Sequence, residues 1–361
     1  GRGAEAGILF RSAEALERAG SLRTVVLDKT GTLTVGTPEV AAVVPAAGIS
    51  ETRLLTLAAI AERGSEHPLA TAVVREAQRR ELSLGEPEAF TALPGEGIVA
   101  TVEGVEVAVG SARFLASRGV ATDALAAAAA RLEAEAHTLL WAALDGELGG
   151  LLGVRDHLRS GSAAAVSELR ALGLDLLLLS GDRLPVAEAV AREVGIGSAI
   201  AEVRPDGKVA EIERLQEAGR GPVAMVGDGV NDAPALARAE VGVALATGAD
   251  VAREAADITI LRADLRDVPR AIRLSRATLR IIRQNLFWAF FYNVLLLPVA
   301  AGVLYPFTAL PTALRELHPV LAAAAMAASS FTVVSNSLRL RHVRLGGTTV
   351  EPAPAPKADA R

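Results

Sequence analysis

The chain has 361 residues, 37 Lys and Arg against 42 Asp and Glu, a net charge of −5, and 51% hydrophobic residues. That length suits two soluble domains plus a further segment, and zero cysteines exclude disulfides or a thiolate metal site within these residues. The acidic balance argues against nucleic acid as a partner. Only three of the 37 basic residues are lysines: Lys29, Lys208 and Lys357. An ammonium and a guanidinium are not equivalent at a crowded phosphate, so Lys29 and Lys208 are candidate functional groups. Lys357 lies in a Pro/Ala tail.

The first strong element is the apolar run over residues 25–27, which predicts a buried strand closing on Asp28-Lys29-Thr30-Gly31-Thr32. A carboxylate at a strand end is held by the sheet yet open on its reacting side, and such carboxylates serve as covalent acceptors in aspartyl-phosphate chemistry. Alone, this Asp would read as an Asx-type turn.

From Gly36 to about Gly153 an insertion follows, with helix-like pieces over residues 69–80 and 124–136. Strand-like pieces cover residues 98–102, 105–109 and 139–144, and Glu103-Gly104 makes a hairpin turn. Two more apolar runs come next. One ends in Ser180-Gly181-Asp182, and the other in Gly227-Asp228-Gly229-Val230-Asn231-Asp232.

Three strand-like runs that each finish in a hydroxyl or carboxylate predict a parallel sheet with chemistry at its C-terminal edge. In this reading Asp28 attacks phosphorus, while Ser180 and Lys208 hold the phosphoryl oxygens. Asp228, with Asp28 and the Thr30 carbonyl, holds Mg2+, and Asp232 orients the cluster from behind.

Beyond this core, Arg270, Arg273, Arg276, Arg280 and Arg283 recur at helical spacing, and no charged residue occurs from Gln284 to Leu314. Residues 286–304 are nearly all apolar, with five of the chain's twelve aromatic residues between Phe287 and Tyr292. A second uncharged stretch, residues 319–338, is long enough for roughly 30 Å of helix. Basic residues flank the pair on both outer sides. The positive-inside tendency therefore predicts a transmembrane hairpin with both flanks cytoplasmic.

Polar groups in such spans are functional candidates. The first span carries Tyr292 and Asn293, and the second carries Met326 with Ser330 one turn on. A thioether is a soft ligand that suits Cu(I) better than zinc or magnesium, although Met is also ordinary packing. Residues 350–361, rich in Pro and Ala, read as a disordered tail.

These motifs resemble the P-type ATPases, ion pumps of the haloacid dehalogenase superfamily, from residue 1 to about residue 344. The resemblance implies that Asp28 is phosphorylated by ATP and dephosphorylated once per transport cycle. Ser180 stands where these pumps usually carry Thr, and the hydroxyl is kept. Soluble phosphatases of the superfamily place a second Asp two residues after the nucleophile as acid–base. That position is Thr30 here, which cannot shuttle a proton near neutral pH.

Ser65-Glu66-His67-Pro68-Leu69 resembles the Glu-His-Pro signature of the heavy-metal subgroup, and Gly95-Glu96-Gly97 its glycine pair. This implies a nucleotide-binding domain with Glu66 and His67 near the adenine and Gly95 and Gly97 close to ATP. Gly110-Ser111 departs from the usual Gly-Asn. Tyr-Asn followed by Met-x-x-Ser-Ser resembles the copper(I) subgroup, which makes Tyr292, Asn293, Met326 and Ser330 candidate Cu(I) ligands.

The fold the resemblance implies is α/β: a haloacid dehalogenase-like, Rossmann-like phosphorylation domain with an inserted α+β nucleotide-binding domain, followed by a transmembrane helical hairpin. Its segments are residues 1–35 (stalk and first part of the phosphorylation domain), 36–153 (nucleotide binding), 154–265 (the rest of phosphorylation), 266–285 (stalk), 286–304 and 319–338 (spans) and 339–361 (cytoplasmic tail). No Cys-Pro-Cys and no Thr-Gly-Glu occurs, so the chain reads as the C-terminal half of a pump that lacks its actuator domain and Cys-Pro-Cys helix. The implied function is ATP-driven Cu(I) export, with Mg2+ and ATP, from a bacterial plasma membrane with the catalytic domains in the cytoplasm. A zinc or cadmium pump and a soluble phosphohydrolase stand as alternatives.

Overall fold

The computed structural model describes residues 2–93, 95–228, 232–245, 255–307, 309–311 and 319–343. Motif residues 229–231, the end of the loop before Pro319 and the expected tail lie outside them. The chain forms two compact units, one spanning Leu22–Leu265 and the other made of Gly1–Ser21 with Arg266–Arg361.

Strands are numbered in chain order from β1 (Ile8–Phe10) of the terminal unit. In the Leu22–Leu265 unit, β2 (Thr24–Asp28), β9 (Asp175–Leu179), β10 (Ala199–Ile200), β11 (Val223–Gly227), β12 (Val241–Leu245) and β13 (Ile258–Ile260) form a parallel sheet in the order β13-β12-β11-β2-β9-β10. Every residue of β2, β11 and β12 is buried. Strands covered on both faces read as continuous apolar runs rather than as alternation, which is why β2, β9 and β11 were legible. β10, β12 and β13 complete the sheet without having been anticipated.

The inserted layer is antiparallel: β3 (Glu39–Pro45), β4 (Ala89–Leu93), β5 (Gly97–Val102), β6 (Val105–Gly110), β7 (Thr138–Leu144) and β8 (Glu147–Arg155), in the order β3-β8-β7-β6-β5-β4. Alternate residues feed two cores. Helices Glu51–Glu62 and Pro68–Arg79 pack Leu54, Leu57 and Val73 with Ile98, Val107 and Leu152. On the other side Phe114, Leu115 and Leu132 meet Trp141 and Leu151.

The Glu103-Gly104 turn forms as expected, with φ of 50° and 76°, the positive pair that a two-residue hairpin of matching twist requires. The helix expected over 69–80 runs Pro68–Arg79. The one expected over 124–136 is shorter, Ala126–Ala134, because Asp123–Leu125 tightens into a 3-10 turn and Ala136 leaves the helix at φ 64°.

In the terminal unit, helix Ala13–Ser21 packs on the 34-residue helix Asp267–Ala300. Gly20 permits that approach, since a Cβ there would lie 2.5 Å from Leu279 Cδ1. The Arg-rich stretch and the first apolar stretch are thus one continuous helix. It stops at Ala300, short of the expected residue 304, with Gly302 at φ 88° beyond it. Helix Pro319–Leu338 follows, and Asn336 donates to Asn285 Oδ1 at 2.8 Å to tie the two together. Among the described residues no helix is long and apolar enough to cross a membrane.

Candidate active site

Because β2 sits between β9 and β11, the loops after all three strands open at one sheet edge. Asp28, the last residue of β2, is 4% exposed there. Lys208, the first residue of helix Lys208–Glu217, donates from Nζ to Asp28 Oδ1 at 2.7 Å and to Asp232 Oδ1 at 2.5 Å. Burial, reinforced by the Asp232 charge and offset by Lys208, pushes the Asp28 carboxyl up to about 7. Asp232 is pushed up as well, chiefly by burial. Lys208 is held above its ordinary value, because the two carboxylates outweigh the effect of its own burial.

The loop after Asp28 turns at Gly31, φ 74°, and a Cβ at that position would lie 3.2 Å from Asp228 Oδ2. Gly31 therefore lets Asp228 close up beside the strand end. Segment 159–162 fastens this loop. Arg159 donates to the carbonyls of Gly31 (2.8 Å) and Thr34 (2.9 Å), and Ser162 Oγ donates to the carbonyl of Leu33 (2.8 Å). No motif marked these two residues in the sequence.

Among the described residues no three His, Asp or Glu side chains converge to hold a metal by themselves. Mg2+, however, takes one or two carboxylates and fills the rest of its shell with water and substrate phosphate. Asp28, Asp228 and Asp232 outnumber Lys208 here, and the buried Asp232 Oδ2 has no hydrogen-bond partner. The carboxylates of Asp28 and Asp228 suit such an ion.

A second knot forms around Asp182. Lys29 pairs with it, Ser180 Oγ donates to its Oδ2 at 2.9 Å, and Thr138 Oγ1 of β7 donates to its Oδ1 at 2.8 Å. Burial would raise this carboxyl, but the Lys29 ammonium overrides it and holds the carboxyl below the usual range. Ser180, expected at the phosphoryl oxygens, and Lys29, a candidate functional group, are thus engaged by Asp182 in this arrangement. Arg183 pairs with the buried Glu133, a further tie from the parallel sheet's edge to the inserted layer.

Between the two layers lies a cavity of about 620 Å³, lined by Thr30, Ser65, His67, Gly95, Gly97 and Asp182 among others. Of the expected nucleotide contacts, Glu66 is exposed and does not line it. His67 starts helix Pro68–Arg79, its Nδ1 accepting from Leu69 N at 3.2 Å, and burial lowers its pKa. An imidazole that accepts at Nδ1 keeps its proton on Nε2. Gly97 faces Gly110 across β5 and β6, and a Cβ on Gly97 would run into Val109 O and Phe114. Ser111 caps the next helix by accepting from Phe114 N at 3.1 Å.

Glu62, which no motif marked, lines the cavity, and burial pushes its carboxyl up to about 7 against a partly compensating Ser65 hydrogen bond. The one available signal was a lone carboxylate closing the apolar run Leu54–Ala61 of its helix. A raised carboxyl pKa stabilises the fold fully below the ordinary value of 4.5, and that contribution is lost as pH rises through about 7. Glu62→Gln should therefore flatten the pH dependence of urea unfolding, followed by Trp141 fluorescence, over that window, where wild type loses up to about 3 kcal/mol. Equal slopes in the two proteins would place the titrating group elsewhere.

The expected Cu(I) ligands lie on the two helices Asp267–Ala300 and Pro319–Leu338. Met326 is 72% exposed and Ser330 is exposed on its helix, while Asn293 Nδ2 turns back to the Ala289 carbonyl at 2.8 Å.

With this geometry in place, comparison with known proteins is direct. The haloacid dehalogenase-like hydrolase family matches residues 22–240, and the chain belongs to that family. It is 47% identical over 343 residues to Copper-transporting ATPase 1 of Rhizobium meliloti (strain 1021), covering 95% of this chain and 41% of the relative. It is 46% identical over 346 residues to a silver exporting P-type ATPase of Salmonella typhimurium, covering 96% and 41%. A crystal structure of a zinc-transporting PIB-type ATPase in its E2.Pi state matches with a TM-score of 0.69 at 40% identity, over 93% of this chain and 53% of that one. The resemblance to heavy-metal P-type ATPases therefore holds over nearly the whole chain. The chain spans about two-fifths of the length of the curated relatives it matches.

Proposed function

We propose that this chain is the C-terminal catalytic part of an ATP-driven Cu(I) exporter, working through an aspartyl phosphate on Asp28. The observation that carries this reading is the Lys208 bridge between Asp28 and Asp232, with Thr30, two residues after Asp28, lining the 620 Å³ cavity. ATP in that cavity would present its γ-phosphate to the strand end. Asp28 Oδ attacks the γ-phosphorus, the bond to the bridging oxygen breaks, and ADP leaves. Water later attacks the same phosphorus, releasing phosphate and restoring the carboxylate. Lys208 balances charge on the transferred oxygens. Mg2+, when bound, neutralises charge on the phosphates.

Thr30, in place of a second acid, favours a pump over the phosphohydrolase alternative, because hydrolysis then waits for another group. Copper rests on the names of the relatives and on Met326 as a soft donor. The zinc alternative has two solved structures of a zinc-transporting PIB-type ATPase in its favour.

We also place residues 286–304 and 319–338 in the lipid bilayer of a bacterial plasma membrane, with the catalytic unit cytoplasmic. Exposed Phe287, Phe290, Val294, Leu297 and Phe331 support this, since so continuous an apolar surface is unfavourable in water. The domain bounds 1–35, 36–153, 154–265 and 266–285 belong to the same reading, as do Lys29, Ser180, Gly181 and Asp182 in catalysis and Gly95 and Gly97 at the nucleotide.

Labelling the complete transporter from γ-labelled ATP with Mg2+ and Cu(I) tests the proposal. An acid-stable, hydroxylamine-sensitive label is expected, and no label at all overturns it. His67→Ala should raise the Kd for ATP about tenfold, the loss of one hydrogen-bonding contact. Calorimetric titration measures this, and an unchanged Kd would leave His67 as a helix cap only.

A further inference from the structure

A second cavity, of about 510 Å³, lies within the terminal unit where the Arg-rich part of helix Asp267–Ala300 meets its aromatic part. Arg276, Arg280 and Arg283 line it, and Phe287 and Trp288, one turn further along the same helix, continue that lining. The three arginines fall at i, i+4 and i+7, one face of the helix. Arg276 Nε reaches the Gly20 carbonyl at 3.4 Å, whereas Arg280 and Arg283 carry no ion pair among the described residues. The acidic residues of helix Ala13–Ser21, Glu14 and Glu17, do not line the cavity. Trp288 packs edge-on against Phe287, with centroids 5.5 Å apart, and against Phe291, at 5.7 Å.

From this juxtaposition of an arginine face and an aromatic wall, we propose that the cavity binds the headgroup of an anionic phospholipid. The inference rests on the bilayer reading above. Guanidinium forks match phosphate oxygens in pairs, and clustered basic residues beside a membrane attract anionic headgroups. Tryptophan favours the headgroup level, where its apolar face meets acyl chain and its N–H meets water, and the phenylalanine beside it adds apolar contact. Free phosphate would use the arginines but gain nothing from the aromatic wall. Charge complementarity at the arginine turns and apolar contact at the next, aromatic turn thus select a lipid.

The chain contains its own reporter. It has two tryptophans, and Trp141 is buried at 4% exposure in the antiparallel sheet, which leaves Trp288, 38% exposed, to sense lipid. The full chain is reconstituted in phosphatidylcholine vesicles containing either phosphatidylglycerol brominated on its acyl chains or an equal amount of brominated phosphatidylcholine. Preference for the anionic lipid should be about fivefold per arginine, so Arg280→Ala with Arg283→Ala should lower it about twenty-five-fold. Quenching by brominated phosphatidylcholine should be unchanged in that variant, and Trp288→Phe should remove quenching altogether. Equal quenching by the two lipids in wild type would overturn the headgroup site while leaving the helix in the bilayer. No quenching by either lipid would overturn the bilayer reading itself. Abolition of the preference by inorganic phosphate at constant ionic strength would make the cavity a free-anion site and overturn the lipid assignment.

Discussion

Asp28→Asn should cut phosphoenzyme labelling from γ-labelled ATP by more than about a thousandfold, as loss of a covalent nucleophile does elsewhere. An amide oxygen cannot displace ADP, while its shape still fits the strand end. The fold should survive, because the substitution removes one of the crowded carboxylates and leaves Lys208 its 2.5 Å bond to Asp232. Binding of MgATP should also survive, since Glu62, Ser65 and His67 are untouched. Labelling and calorimetric binding on the same preparations separate the two effects. Equal labelling of wild type and variant would sink Asp28 as the acceptor. Lys208→Ala is a blunter probe, because it strips Asp28 and Asp232 of their shared cation and disturbs folding together with chemistry.

Met326 is where the metal assignment is most exposed to test. In the complete transporter, Met326→Ala should lower Cu(I)-stimulated ATPase activity at least about tenfold, as removing or misplacing a metal ligand does. Met326→Leu decides the reason. Leucine keeps volume and apolarity, so a packing residue tolerates it, whereas a ligand does not. Met326 is 72% exposed on its helix, so this chain alone gives it little to pack against. Activity that stays low with Leu, at normal protein level, supports a sulfur ligand. Full Cu(I)-stimulated turnover with Leu would leave copper resting on the names of relatives alone.

Much of the catalytic edge was legible in the amino-acid sequence because parallel strands buried on both faces are written as unbroken apolar runs. β2, β9 and β11 each announce their ends with a polar residue, and backbone pairing then puts those ends side by side. Asp28, Asp228 and Asp232 follow from that local pattern, Lys208 from the scarcity of lysine, and the Glu103-Gly104 turn from the twist its two positive φ angles match. The partners of these groups were decided elsewhere. That Lys29 engages Asp182, that Thr138 reaches it from β7, and that Arg159 clasps the Gly31 and Thr34 carbonyls depend on contacts between residues 44 to 153 positions apart. Glu62 was silent for the same reason. A carboxylate on an apolar helix carries no mark of what covers it until the inserted layer folds over it, and only that burial moves its proton affinity toward neutral pH.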